Sequence, residues 1–146
     1  MKRQRRRARN LALQALYEID SVRHPPQVVI AYHLAQEDSL GEEAAQFFQQ
    51  LVLGTLEDTP SLDKLIAEFA PEWPVEQLAI IDRNILRLSL WEFCVAEITP
   101  LKVSINEAVE LAKRFGSDSA PRFINGVLGA LADREQEIRR RFQSSK

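Results

Sequence analysis

Val103-Ser104-Ile105-Asn106-Glu107-Ala108-Val109-Glu110-Leu111-Ala112-Lys113-Arg114-Phe115-Gly116 is the stretch whose reading decides the fold. Ile105, Ala108, Val109, Ala112 and Phe115 recur at i, i+3, i+4, i+7 and i+10, which at about 100° per residue puts them on one stripe of an α-helix. Thr99-Pro100 ahead of the stretch and Gly116 behind it supply start and stop. The same period governs the chain on both sides. From Val75 to about Val95, Leu78, Ile81, Ile85 and Leu88 form one row and Leu86, Leu90 and Phe93 another, so the spacing predicts a single central helix, apolar nearly all round. Beyond Gly116 a helix opening near Asp118 to Pro121 carries Phe123, Ile124, Val127, Leu128 and Leu131, then dissolves into the charged run Asp133-Arg134-Glu135-Gln136-Glu137.

Upstream, Leu11, Ala12, Ala15, Leu16 and Ile19 form the apolar stripe of a first helix from about Arg5 to Val22, which Pro25-Pro26 ends. A second helix covers roughly Gln27 to Ala35. Ser39 and Glu42 stand at capping-box spacing before a third, whose stripe is Phe47, Phe48, Leu51, Val52 and Leu56. Thr59-Pro60-Ser61 opens a short fourth through Leu62, Leu65, Ile66 and Phe69, and Pro71 and Pro74 set it apart from the next. The expectation is an all-α chain of about seven helices, with no fixed-period repeat and no low-complexity segment.

A chain of 146 residues fits one domain and can bury a sizeable core. Its single cysteine, Cys94, lies in an apolar run and reads as a buried thiol. The chain start lacks the apolar run of a secretory signal and no stretch is apolar enough for a membrane span, so the expectation is cytoplasmic. The net charge of −2 hides a segregation. Residues 1–9 hold six Lys/Arg and residues 139–146 hold four, neither with an acid, whereas residues 10–138 hold nine bases against all 21 acids, a local charge of −12. A polyanion is drawn to the ends and repelled by the middle. The bland alternative for the C-terminal cluster is a solvated, frayed tail.

Enzyme signatures are missing. His24 and His33 stand at ligand spacing neither from each other nor from Cys94, and there is no Walker-type loop, dinucleotide fingerprint or nucleophile elbow. The pairs Glu42-Glu43 and Glu57-Asp58 are adjacent on a helix, so their carboxylates diverge by about 100°. No metal and no cofactor are expected. The first helix is more informative. With its apolar stripe inward, Arg6, Asn10 and Tyr17 fall almost opposite, flanked by Arg7, Leu13 and Gln14. Cations there can neutralise phosphates, amides can reach base edges, and Tyr17 can stack on a base or pack on a protein. An exposed Leu13 beside Tyr17 would be an apolar spot that a homodimer could cover. A second, smaller patch lies around Phe123, with Lys113, Arg114 and Arg122 near in sequence; Phe123 reads equally well as core.

Three segments carry a resemblance: Arg5-Arg6-Arg7-Ala8-Arg9 leading to Ala12-Leu13-Gln14-Ala15-Leu16-Tyr17; Asp82-Arg83-Asn84-Ile85-Leu86-Arg87-Leu88; and Val103 to Lys113 leading to Phe123-Ile124-Asn125-Gly126-Val127-Leu128. Together they resemble the bacterial transcription antitermination factor family NusB, from Arg5 to about Leu131, most loosely between Arg23 and Leu40. The resemblance implies two packed helical subdomains, about 1–70 and 71–146, and no catalysis. It implies binding of a boxA-type single-stranded element of nascent ribosomal RNA together with the ribosomal protein NusE, in an antitermination complex on RNA polymerase. Carried over by position, RNA contacts fall on Arg5, Arg6, Arg7 and Arg9 and around Ser119, Arg122 and Phe123, and NusE contacts on Tyr17, Asp82 and Arg87. The family often has an acid where this chain has Ser119; here the nearest is Asp118.

Two rivals stand beside this reading. One is the NusB-like N-terminal domain of an RNA 5-methylcytosine methyltransferase, for which 146 residues leave no room for a cofactor-binding domain. The other is a helical adaptor that binds protein but not RNA.

Overall fold

A computed structural model describes residues 2–143 of the chain. Seven α-helices account for most of them: α1 (Lys2–Val22), α2 (Pro26–Gln36), α3 (Glu42–Phe69), α4 (Ile80–Leu90), α5 (Leu101–Phe115), α6 (Ala120–Ala132) and α7 (Glu135–Gln143). The all-α expectation holds. Two compact units divide the chain, residues 1–57 and 58–146.

In the first unit, α1 buries Leu11, Ala12, Ala15 and Leu16 of the expected stripe and Ala8 ahead of them, with Ile19 half-buried. It also buries Arg9, which the resemblance assigns to RNA, and Leu13, which the single-stripe reading places on the flank. The reason is a second row: Arg9, Leu13 and Leu16 stand at i, i+4 and i+7, so α1 is covered on two sides and not one. Leu13 is fully buried and offers no apolar spot to a second copy. Arg23, in a left-handed conformation at φ 62°, closes α1, and Pro26 starts α2 where its missing N–H costs nothing. Val29 and Ile30 form the buried side of α2, leaving Val28 and Tyr32 exposed. The two histidines share one acid, with His24 Nδ1 2.7 Å and His33 Nε2 3.8 Å from the Glu18 carboxylate.

The proline at position 60 does not open a new helix. It lies inside the 28-residue α3, in which Leu51, Thr55, Leu62 and Ile66 are all buried. These four lie within about 60° of one another round the helix, so one continuous buried row runs past the proline and holds the helix together despite a missing ladder bond. The central helix, in contrast, is shorter than its apolar span. Val75–Gln77 form a separate 3-10 turn, Leu78 and Ala79 are extended (ψ 152° and 137°), and α4 begins only at Ile80. Beyond Leu90 the backbone widens into a π-helical turn, Trp91–Val95, with the Ala96 N–H bonded to the Trp91 carbonyl at 2.9 Å. That turn buries a glutamate, Glu92, which accepts a 2.8 Å hydrogen bond from the Thr99 hydroxyl.

Gly116 ends α5 for a steric reason: a Cβ there would stand 2.6 Å from the Ala120 Cβ and 2.9 Å from the Ala112 carbonyl oxygen. This allows α6 to turn back on α5, burying Ala120, Ile124, Val127, Leu128 and Leu131. The charged run after Leu131 does not dissolve. It leads into α7, which buries Ile138 and sets the Arg139 guanidinium 4.8 Å from the Phe93 ring centre. Arg141 donates to Glu68 at 3.0 Å and to Glu137 at 2.8 Å, so this part of the C-terminal basic cluster is committed to the protein; Ser144 to Lys146 lie outside the described residues. The Arg141 hydrogen bond holds Glu68 below the usual carboxylate range, and Arg134 and Arg141 do the same for Glu137. The hold on α7 is therefore complete above the ordinary carboxylate pKa and weakens as pH falls through the lowered values.

Cys94 is 1% exposed, as its apolar setting predicts, and burial pushes its thiol up to about 12. The thiolate is the reactive form. Modification of Cys94 by an aromatic disulfide reagent at pH 8 is expected to be at least 100-fold slower in the native protein than in urea; equal rates would show that the π-helical turn opens readily.

Candidate nucleic-acid interface

The cationic face of α1 is built around the ring of Phe47 on α3. The Arg5 guanidinium lies 4.6 Å and that of Arg9 5.3 Å from the ring centre, which lets a buried arginine rest on an aromatic face. Arg7 turns the other way. It pairs with the Glu37 carboxylate and donates to the Ser39 carbonyl at 3.4 Å, while the Gln4 side-chain oxygen accepts from the Gly41 N–H at 3.1 Å. Segment 37–41 is thus tied to the first turns of α1. Arg6 points outward and is exposed. Of the four arginines, Arg5 and Arg7 are half-buried at the surface, Arg6 faces out, and Arg9 is 5% exposed behind them. Beside Arg5 a cavity of about 240 Å³ is lined by Gln4, Gly41, Glu42, Glu43, Ala44 and Phe47. Further along the helix Tyr17 is 41% exposed.

The second unit gathers a different set. Asp82, from the first turn of α4, and Ser119, Arg122 and Phe123, at the start of α6, line one open groove of about 480 Å³ together with Trp73, Gln77, Leu78 and Ala79. Residues assigned above to RNA and a residue assigned to NusE share this groove. Ser119 and Arg122 are exposed and Phe123 is half-buried, so Phe123 is neither pure core nor free. Burial raises the Asp82 carboxyl above its ordinary value. Its place in the first turn of α4 opposes that shift through the helix dipole. Arg87 lies apart from the groove. It is bidentate on Asp63, at 2.7 and 2.9 Å, and its side chain is only 12% exposed.

Sequence reasoning missed Trp73, 59% exposed in the Pro71-Glu72-Trp73-Pro74 connection. In the sequence, the prolines around it signal a break between helices and carry no sign of an exposed ring. Phe47 was counted as core, and its role as a platform for two cations depends on tertiary packing that no local pattern shows. Among the described residues no group of three or more His, Cys, Asp or Glu could hold a metal ion, and no helix is long and apolar enough to cross a membrane.

The described residues thus form an all-helical protein with a cationic helix face in the first unit and a groove lined by Trp73 and Phe123 in the second. Its family is then given by comparison: residues 6–133 match the NusB family, and the chain belongs to it. It is 48% identical over 138 residues to the transcription antitermination protein NusB of Roseiflexus sp. (strain RS-1), covering 93% of this chain and 96% of that protein. Among solved structures it is similar to NusB of T. maritima, at 29% identity and a TM-score of 0.81, covering 88% of this chain and 90% of that one. It is also similar to a chain in a complex of the antitermination factors NusB and NusE with double-stranded RNA, at 25% identity and a TM-score of 0.81, covering 89% and 96%. Its relatives are transcription antitermination factors and not enzymes.

The inward turn of Arg87 generates a stability prediction. Replacing Arg87 with alanine leaves the Asp63 carboxylate, 30% exposed, without its bidentate partner and is expected to cost about 1–3 kcal/mol in urea unfolding. Unchanged stability would return Arg87 to the list of surface contacts.

Proposed function

We propose that this chain acts in transcription antitermination as an RNA-binding adaptor, taking boxA-type single-stranded RNA of nascent ribosomal RNA together with NusE, in a complex carried by RNA polymerase. The observation that carries this reading is the cationic face at the start of α1, where Arg5, Arg6 and Arg7 reach the surface at the head of a helix in a family of antitermination factors. These three arginines contact phosphates; Arg9, stacked on Phe47, supports Arg5 from behind. Tyr17, exposed two turns further on, and Asp82 contact NusE. Arg87 acts on that contact through Asp63, by fixing α4, which bears Asp82. The setting is cytoplasmic, where the transcript is made.

The α1 cluster is electrostatically strained on its own. Arg5 and Arg9 are like charges at i, i+4, and the first turn holds no acid to complement the helix dipole. Glu37 relieves part of this strain by pairing with Arg7. An RNA phosphate at the same place competes with the Glu37 carboxylate.

Titration of a boxA-type RNA oligonucleotide, with and without purified NusE, tests the reading. Three phosphate contacts at about −0.7 each give a log K against log salt slope of roughly −2. Arg6→Ala is expected to reduce that slope by about 0.7 with little change in Tm, and a flat salt response would remove α1 from the RNA contact. Glu37→Gln is expected to tighten RNA binding several-fold, because Arg7 loses its competing carboxylate; weaker binding would mean that Glu37 serves to position Arg7.

A further inference from the structure

The groove of the second unit contains more than the assigned residues explain. Trp73, 59% exposed, lines the same groove as Phe123. A large ring left in water is a cost unless something covers it. Its backbone is also restrained. Pro74 confines the residue before it to extended conformations, and the Gln77 N–H bonded to the Pro74 carbonyl at 2.9 Å fixes the turn that follows. The backbone of Trp73 is therefore set before any ligand arrives.

Resting on the RNA-binding reading above, we propose that Trp73 is a base-stacking residue: with Phe123 it forms an aromatic groove that takes an unstacked nucleobase of single-stranded RNA. Gln77 and Ser119 offer an amide and a hydroxyl to the base edge, and Arg122 holds one adjoining phosphate. Charge favours a base here over a run of backbone. The groove contains one cation, Arg122, and one acid, Asp82, and Glu72 and Glu76 flank Trp73 in sequence. A stretch of several phosphates would be repelled, whereas a flat, uncharged base is not. Stacking on rings is also tolerant of sequence, so the groove adds affinity for any splayed base and leaves discrimination to the polar groups around it.

The test uses the full chain and a labelled boxA-type RNA oligonucleotide, with purified NusE measured in parallel. Trp73→Ala is expected to weaken RNA binding by about 10-fold, within the range for losing one base–aromatic stack, and Trp73→Phe by much less. The salt slope of Trp73→Ala should equal that of the wild type, since no phosphate contact is removed. Wild-type tryptophan emission should be quenched at saturating RNA; the other tryptophan, Trp91, is buried with its indole N–H on Asp58 and reports little. If the wild type binds RNA but Trp73→Ala binds as tightly, or the emission does not change, the stacking assignment is overturned and the RNA-binding reading stands. If Trp73→Ala loses NusE and keeps RNA, the groove is a protein surface and the proposal is wrong. A wild type that binds no RNA under any condition overturns both.

Discussion

The bidentate pair of Arg87 with Asp63 fixes α4, and much of the second unit depends on it. Three acids on the later half of α3 each hold a different element: Asp58 accepts from the Trp91 indole at the π-helical turn, Asp63 from Arg87 on α4, and Glu68 from Arg141 on α7. Hydrophobic burial supplies the driving force but little direction, because apolar surfaces slide over one another at small cost. Directional, charge-assisted hydrogen bonds choose among the possible slides. With α4 fixed, its first turn delivers Asp82 to the groove, and the tight α5–α6 turn that Gly116 permits delivers Ser119, Arg122 and Phe123.

The first unit solves a different problem. It must keep several guanidinium groups close together at the start of one helix, against both their mutual repulsion and the helix dipole. The aromatic face of Phe47 accommodates the guanidinium groups of Arg5 and Arg9, and Glu37 neutralises Arg7 from a segment that Gln4 also ties down.

Most of the fold was legible in the sequence because helical periodicity is a local signal. The row of α6 from Ile124 to Leu131 and that of α1 from Leu11 to Leu16 are found where their spacing places them, whereas the buried row of α5 is Ser104, Ala108, Leu111 and Ala112, turned from the expected stripe so that Ile105, Val109 and Phe115 are half-buried. The misreadings have one common cause: a local rule lost to a tertiary contact. Pro60 stays within α3 because the buried row continues through it, α4 starts late because Pro74 and the 3-10 turn use up the preceding residues, and α7 forms because Ile138 and Arg141 find partners elsewhere in their unit. At the site, the position of Arg6 followed from the helix angle alone, whereas the burial of Arg9 and the pairing of Arg7 required knowing what packs against α1. Trp73 was visible but uninterpreted. Prolines on both sides of an aromatic residue mark a loop break and a rigidly presented ring equally well, and only its exposure beside Phe123 separates the two.

The two surfaces differ in physics, and that difference suits the proposed role of an adaptor that must find one RNA element among many. The α1 face attracts by charge, acts at a distance and reads no sequence. The groove has almost no net charge and acts only at contact, through ring faces and a few hydrogen-bonding groups. Between residues 10 and 138 the chain has a charge of −12, so RNA has little reason to linger elsewhere on it. Under the proposed function, capture by a small cationic face, rejection by the acidic remainder and inspection of a splayed base in a neutral groove would together favour a single-stranded segment over a duplex, because a stacked and paired base cannot enter the groove without first being unstacked.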